Sequence, residues 1–157
     1  MTRLHALFVA GLLLGAPALA VAAPPPELVD VLGHFVRAVS GNDAGDFARL
    51  FVADPSITDT VYPYHWQGKD AATRYFGDLQ GDVKADGWDG LHLSNESDPF
   101  LVVRPGFAYA ALHLFVDYKA HGKAHRDAGI FALSVARDGA QWKITSASWT
   151  YTRPPGS

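Results

Sequence analysis

The chain has 157 residues, 48% of them hydrophobic, with 13 Lys and Arg against 16 Asp and Glu, a formal charge of −3, and no cysteine. Nothing in that balance attracts a phosphate backbone, so nucleic acid is not an expected partner. Disulfide staples and thiolate chemistry are excluded by the cysteine count, which leaves the hydrophobic core to hold the fold by itself.

Taken from the N-terminus, Arg3 and His5 precede an uncharged run from Ala6 to Ala16, which ends in small residues around Ala18, Ala20, Ala22 and Ala23. This pattern predicts a secretory signal peptide over residues 1–23. The run is too short for a transmembrane anchor, is broken by Pro17, and leads into Pro24-Pro25-Pro26 where a basic stop would be expected. The expected product is a periplasmic or secreted chain with no membrane anchor after cleavage. Residues 24–157 are then one domain, of ordinary size for a single core.

Beyond the prolines, Leu28, Val31, Leu32, Phe35, Val36 and Val39 recur at helical spacing and predict an amphipathic helix of about four turns, ended near Gly41. Asp43 or a neighbour is placed to cap a second, shorter helix carrying Phe47, Leu50 and Phe51, which Asp54-Pro55 should end. Residues 56–66 read as extended. A third helix is expected from Lys69 to about Leu79, and the glycine-rich stretch from Gly81 to Gly90 reads as a loop containing Trp88.

From Leu91 onward the period changes to alternation, with strands expected near 91–96, 100–104, 107–120, 123–137 and 140–151. Asp138-Gly139 is the strongest hairpin signal. Two-residue turns there and at His121-Gly122 put Val135 opposite Trp142, Leu133 opposite Ile144, Phe131 opposite Ser146, Gly129 opposite Ser148, and Leu112 opposite Phe131, all on one apolar face that must meet the helices. The other face carries His113, Phe115, Asp117, Arg126, Ile130, Lys143 and Trp149, a mixture suited to a partly wet surface or a homodimer interface. Helices followed by a meander make the fold class α+β.

Two helices, an extended aromatic segment (Tyr62, Tyr64, His65, Trp66), the helix opening Gly68-Lys69-Asp70-Ala71 and a meander closing on Asp138-Gly-Ala-Gln-Trp-Lys-Ile144 together resemble the nuclear transport factor 2-like superfamily. The likeness runs from Glu27 to about Thr152, and the SnoaL-like and ketosteroid isomerase-like branches are nearest in pattern. It implies a cone: a curved antiparallel sheet against three helices, with a small, mostly apolar ligand held inside. It also implies that Asp59, lying shortly before Gly68, stands where ketosteroid isomerase-like members carry a proton-abstracting aspartate. The regions that would supply the oxyanion partners read Phe35 or Ala38 on the first helix and Ala132-Leu133-Ser134 on a late strand. Ser146 and Ser148 stand where many SnoaL-like sequences place a histidine on the last strand.

Asp59 is therefore the candidate general base, and a carboxylate that caps a turn beside Pro55-Ser56 is the structural alternative. Tyr62, Tyr64, Trp88, Ser146 and Ser148 are the candidate ligand contacts: an aromatic pair, a flap over the cone's mouth, and two hydroxyls expected to face inward. Tyr75, Phe76 and Trp142 are assigned to the core. His92, His121 and His125 lack a spacing that gathers three ligands, so no metal site is assigned, and no cofactor motif occurs. Three functions stay open: binding of a small apolar or aromatic molecule, an isomerase- or hydrolase-type enzyme using Asp59, and a protein-interaction or dimerisation module acting through the outer sheet face.

Overall fold

The computed structural model describes residues 23–154, so the expected signal peptide lies outside the described residues except for Ala23. Helix α1 (Pro26–Ser40) opens on a proline, which lacks a donor where a helix needs none, and buries Leu28, Leu32, Phe35, Ala38 and Val39 on one face. Asp43 caps α2 (Ala44–Arg49) by accepting from the Asp46 amide at 2.8 Å. Phe47 from α2 packs its ring 5.5 Å from Phe35 and 4.9 Å from Phe76, which joins the helices through aromatic contacts.

The expected end of the second helix at Asp54-Pro55 is corrected. Strand β1 (Phe51–Thr58) already begins at Phe51 and runs through Pro55. Its register against the last strand shifts between Phe51 and Ser56, so the proline, which has no N–H, sits at an irregularity in the ladder. Strand β2 (His65–Gln67) turns back along β1, and the helix α3 (Ala71–Ala85) follows. Here too the sequence reading is corrected: α3 continues through Gly77 and Gly81, well beyond Leu79. Leu79 and Val83 continue the inward stripe begun by Ala72, Tyr75 and Phe76, so packing along that face outweighs two glycines on the exposed side.

The remaining strands are β3 (Trp88–Asn95), β4 (Phe100–Arg104), β5 (Phe107–Ala120), β6 (Lys123–Asp138) and β7 (Gln141–Tyr151). They form one seven-stranded sheet in the order β2-β1-β7-β6-β5-β3, with β4 pairing the first half of β5 on the same side as β3. All contacts are antiparallel except β1 with β7, which is parallel and makes the sheet mixed. Register irregularities in the β1–β7, β3–β5 and β6–β7 pairs bend it around the helices. No helix among the described residues is long and apolar enough to cross a membrane.

The β5–β6 hairpin has the predicted register, with Leu112 opposite Phe131 and Asp117 opposite Arg126. Asp117 and Arg126 meet on the outer face through a bidentate pair at 2.7 and 2.9 Å. The β6–β7 hairpin departs from prediction twice. Its tip is Gly139-Ala140, closed by Asp138 opposite Gln141, which slides Val135 from Trp142 to Ile144 but keeps the same face inward. Then Ser134 pairs with Ser146 directly after Val135 with Ile144, leaving Thr145 as an extra residue in β7. One extra residue reverses which side chains face the core. Beyond it Ala147, Trp149 and Tyr151 point inward, and Ser146 and Ser148 point out.

Candidate functional site

The inward ends of α3, β3 and β7 and the turn after β1 surround a concavity. The cavity itself measures about 60 Å³, and the gaps between atoms, counted together with the open space at its mouth, come to about 560 Å³. Leu79, Leu93, Val116, Phe131 and Trp149 supply much of the apolar wall. Trp149 packs against Gly129: a Cβ there would come within 2.3 Å of the indole and 2.6 Å of the Thr150 carbonyl oxygen. The bulge at Thr145 and the missing side chain at Gly129 are what bring this tryptophan into the cone.

At the floor stands Asp59, first residue of the β1–β2 turn. One carboxylate oxygen accepts from the Tyr75 hydroxyl at 2.6 Å. The other accepts from the Thr60 amide at 2.5 Å and the Thr60 hydroxyl at 3.1 Å. Asp59 thus caps the turn, as in the structural alternative, and it also lines the cavity. Burial pushes its pKa above the ordinary carboxylate value, against the opposing pull of the Tyr75 and Thr60 hydrogen bonds. The Tyr75 phenol is fully buried, and that burial together with the adjacent carboxylate drives its pKa well up, so it stays a neutral donor.

Sequence reasoning placed Tyr75 in the core and overlooked its hydroxyl. The available signal was chemical: a buried tyrosine O–H needs a partner, and an apolar helix face supplies none. A second pair was missed altogether. Asp127, buried on the inner face of β6, accepts from the Tyr118 hydroxyl at 2.8 Å. Tyr151 feels both carboxylates: burial, then Asp127 and Asp59, raise its pKa.

The predicted ligand contacts divide. Trp88 does line the cavity, but it opens β3 opposite Ala120 and stacks on Tyr118 with ring centroids 3.9 Å apart, so it is a wall residue and not a loop flap. Tyr62 and Tyr64 are 74% and 59% exposed, at the tip of the β1–β2 turn. There the Tyr64 amide bonds the Val61 carbonyl at 2.7 Å, so the expected extended alternation is broken by a tight turn around Pro63. Ser148 accepts from the Thr58 hydroxyl at 2.9 Å outside the cone, and Ser146 shares that outer face. The bulge at Thr145 is the cause of both reversals, and of the inward turn of Trp149. Among the described residues, no cluster of three metal-ligating side chains occurs.

No protein-family model matches the chain, and no curated protein does. Solved structures do match. A hexachlorocyclohexane dehydrochlorinase from Novosphingobium barchaimii aligns with a TM-score of 0.67 at 13% identity over 81% of this chain and 85% of its own. A nuclear transport factor 2-like superfamily protein from Salmonella enterica serovar Typhimurium aligns with a TM-score of 0.66 at 17% identity over 83% of this chain and 92% of its own. One with a cystatin-like fold from Novosphingobium aromaticivorans gives 0.66 at 16% identity, over 83% and 82%. The chain has the nuclear transport factor 2-like fold.

Identities this low carry the backbone and not the chemistry, which must be read from the side chains. In this nuclear transport factor 2-like cone the regions expected to hold oxyanion donors contain none facing inward: Phe35, Ala38 and Leu133 are packed core, and Ala132 and Ser134 share the outer face with Ser146 and Ser148. Thr60, Tyr75 and Tyr151 are the hydroxyl-bearing residues of the lining, and Asp59 is its half-buried carboxylate. Such a site can hold a compact apolar body and offer it one carboxylate with a fixed phenol behind it.

Proposed function

We propose that the cone binds a small, mostly apolar or aromatic molecule against the Asp59–Tyr75 pair, in a chain exported by its N-terminal segment. The supporting observation is a concavity with apolar walls whose floor carries a desolvated carboxylate held by a buried phenol. The narrow interior favours ligands of few heavy atoms over a steroid-sized body. Trp88 and Trp149 stand in the wall, so occupancy should change tryptophan emission. A panel of small aromatic and aliphatic alcohols, ketones and amines is the test: a shift in emission together with a raised melting temperature is expected for some members. Uniform silence in both readouts overturns the reading.

A second reading makes Asp59 a general base that removes a proton from a carbon acid. It is favoured by the upward shift of its pKa, which brings a carboxylate nearer to a useful base. On this reading Asp59→Asn abolishes turnover of such a substrate and keeps the fold, because the amide oxygen still accepts from Tyr75 while the half-exposed turn at Thr60 can turn its freed donors to water. A variant that loses its fold marks a structural carboxylate instead. The outer sheet face, where His113, Phe115 and Ile130 are half-buried around the Asp117–Arg126 pair, suits self-association.

A further inference from the structure

The charge of the cavity lining is one-sided. Asp59 stands at its floor, and Asp82 and Asp86 stand at its mouth, one turn apart on and just past α3. Among the described residues, no lysine, arginine or histidine lines it. Nor does any of the three carboxylates take part in an ion pair among those residues. Burial is the leading cause of the raised pKa values of Tyr151 and Tyr118, and Asp82 and Asp86, respectively, add the smallest of the contributions.

Carboxylates on a helix end would by themselves be a solvated rim. Here they open onto a cavity into which aromatic rings are packed from four elements. Trp88 comes from β3, Phe131 from β6, Trp149 and Tyr151 from β7, and Tyr75 from α3. Phe131 and Trp149 lie with centroids 4.8 Å apart, and Tyr151 stands edge-on to Trp149 at 5.4 Å. Ring faces attract a cation through their quadrupole, most strongly where water is excluded. A carboxylate at the floor adds a Coulomb term that an anionic guest would meet as repulsion.

We propose that the ligand of this cone is a small organic cation, an ammonium head on a short apolar body, held by the rings of Trp88, Trp149 and Tyr151 with Asp59 beneath and Asp82 and Asp86 at the entrance. This rests on the cone being a ligand site, and narrows which ligands it takes. The head need not be a hydrogen-bond donor, because rings and carboxylates recognise charge and shape. A quaternary ammonium suits the site as well as a primary amine does.

The test compares choline with dimethylbutanol, in which carbon replaces the ammonium nitrogen at nearly the same shape, and adds benzyl alcohol as an uncharged aromatic probe. Affinities are read by calorimetry and by tryptophan emission on the whole chain. Choline is expected to bind about tenfold or more tightly than dimethylbutanol. In the double variant D82N/D86N, checked for an unchanged melting temperature, that ratio should fall toward parity. Equal affinities for the isosteric pair, or tighter binding of the alcohol, overturn the cation preference and leave the ligand site standing. Binding of benzyl alcohol alone overturns it in the same way. An advantage of choline that survives intact in D82N/D86N removes the mouth carboxylates from the proposal. Silence with all three probes sinks the ligand site itself, and the cation preference with it.

Discussion

Asp59 carries two opposed electrostatic effects. Desolvation raises its pKa, hydrogen bonds from Tyr75 and Thr60 lower it, and desolvation prevails. A carboxyl whose pKa is higher folded than unfolded binds more protons in the native state between the two values, so stability falls as pH rises through that window. The window opens near the ordinary value of 3.8 and extends upward. Asp117 and Asp46 act in the opposite sense. Hydrogen bonds to Arg126 and His34, respectively, are the leading causes that hold their pKa values down, so their contribution is lost as pH falls below that same ordinary value. Asp59→Asn should therefore melt at or above the wild-type temperature near neutral pH, with the gain fading toward acid. Thermal melts of both proteins from about pH 3 to 7 check this; a difference that grows toward acid contradicts it. Gly129 is the other residue on which the cavity depends. Gly129→Ala forces the Trp149 indole to move, since the added carbon would sit 2.3 Å from it, and should cost about 1–3 kcal/mol in chemical denaturation with altered tryptophan emission.

At the scale of elements, α3 and β7 decide what the site contains. A helix ending at Leu79 would leave Asp82, Val83 and Asp86 in a loop with no assigned direction. Continuing to Ala85, it sets them over the mouth. The clue was present in the spacing of Tyr75, Leu79, Asp82 or Val83, and Asp86, which all fall on one helical face. Two glycines masked it. Gly81 has a helical position with no atom within 4 Å of where a Cβ would stand, so Gly81→Ala should stabilise the protein by about 1 kcal/mol. Equilibrium urea unfolding measures it, and a destabilised variant would mean that the helix stops short of this residue. In β7 the decisive event is the single extra residue, Thr145, whose hydroxyl bonds the Ser134 carbonyl at 3.1 Å. Alternation read from the hairpin tip is correct up to Ile144 and inverted after it.

For the molecule as a whole, the curved sheet presents one face to the helices and leaves the other without a covering element among the described residues. The outer face combines half-buried apolar side chains with the bidentate Asp117–Arg126 pair, an arrangement that a two-fold interface can bury without stranding a charge. Light scattering on the chain without its first 23 residues should report a dimer at micromolar concentration, and Phe115→Lys should shift it toward monomer. A monomer at all accessible concentrations overturns self-association through this face.

Sequence by itself determined the local properties: the helical stripe of α1, the late meander, the phasing of β5 and β6, the Asp117–Arg126 pairing, and the place of Asp59 before Gly68. Those follow from periodicity and turn chemistry, which act between near neighbours along the chain. Only the tertiary structure decided which rings and hydroxyls reach the cavity. Tyr62 and Tyr64 left the interior because a turn intervened, Ser146 and Ser148 left it because β7 holds one residue more than β6 opposite it, and Tyr75 entered it because its phenol had to find Asp59. A bulge reverses faces without altering alternation in the sequence, and a buried hydroxyl chooses its partner across the fold, so neither is written in any local pattern.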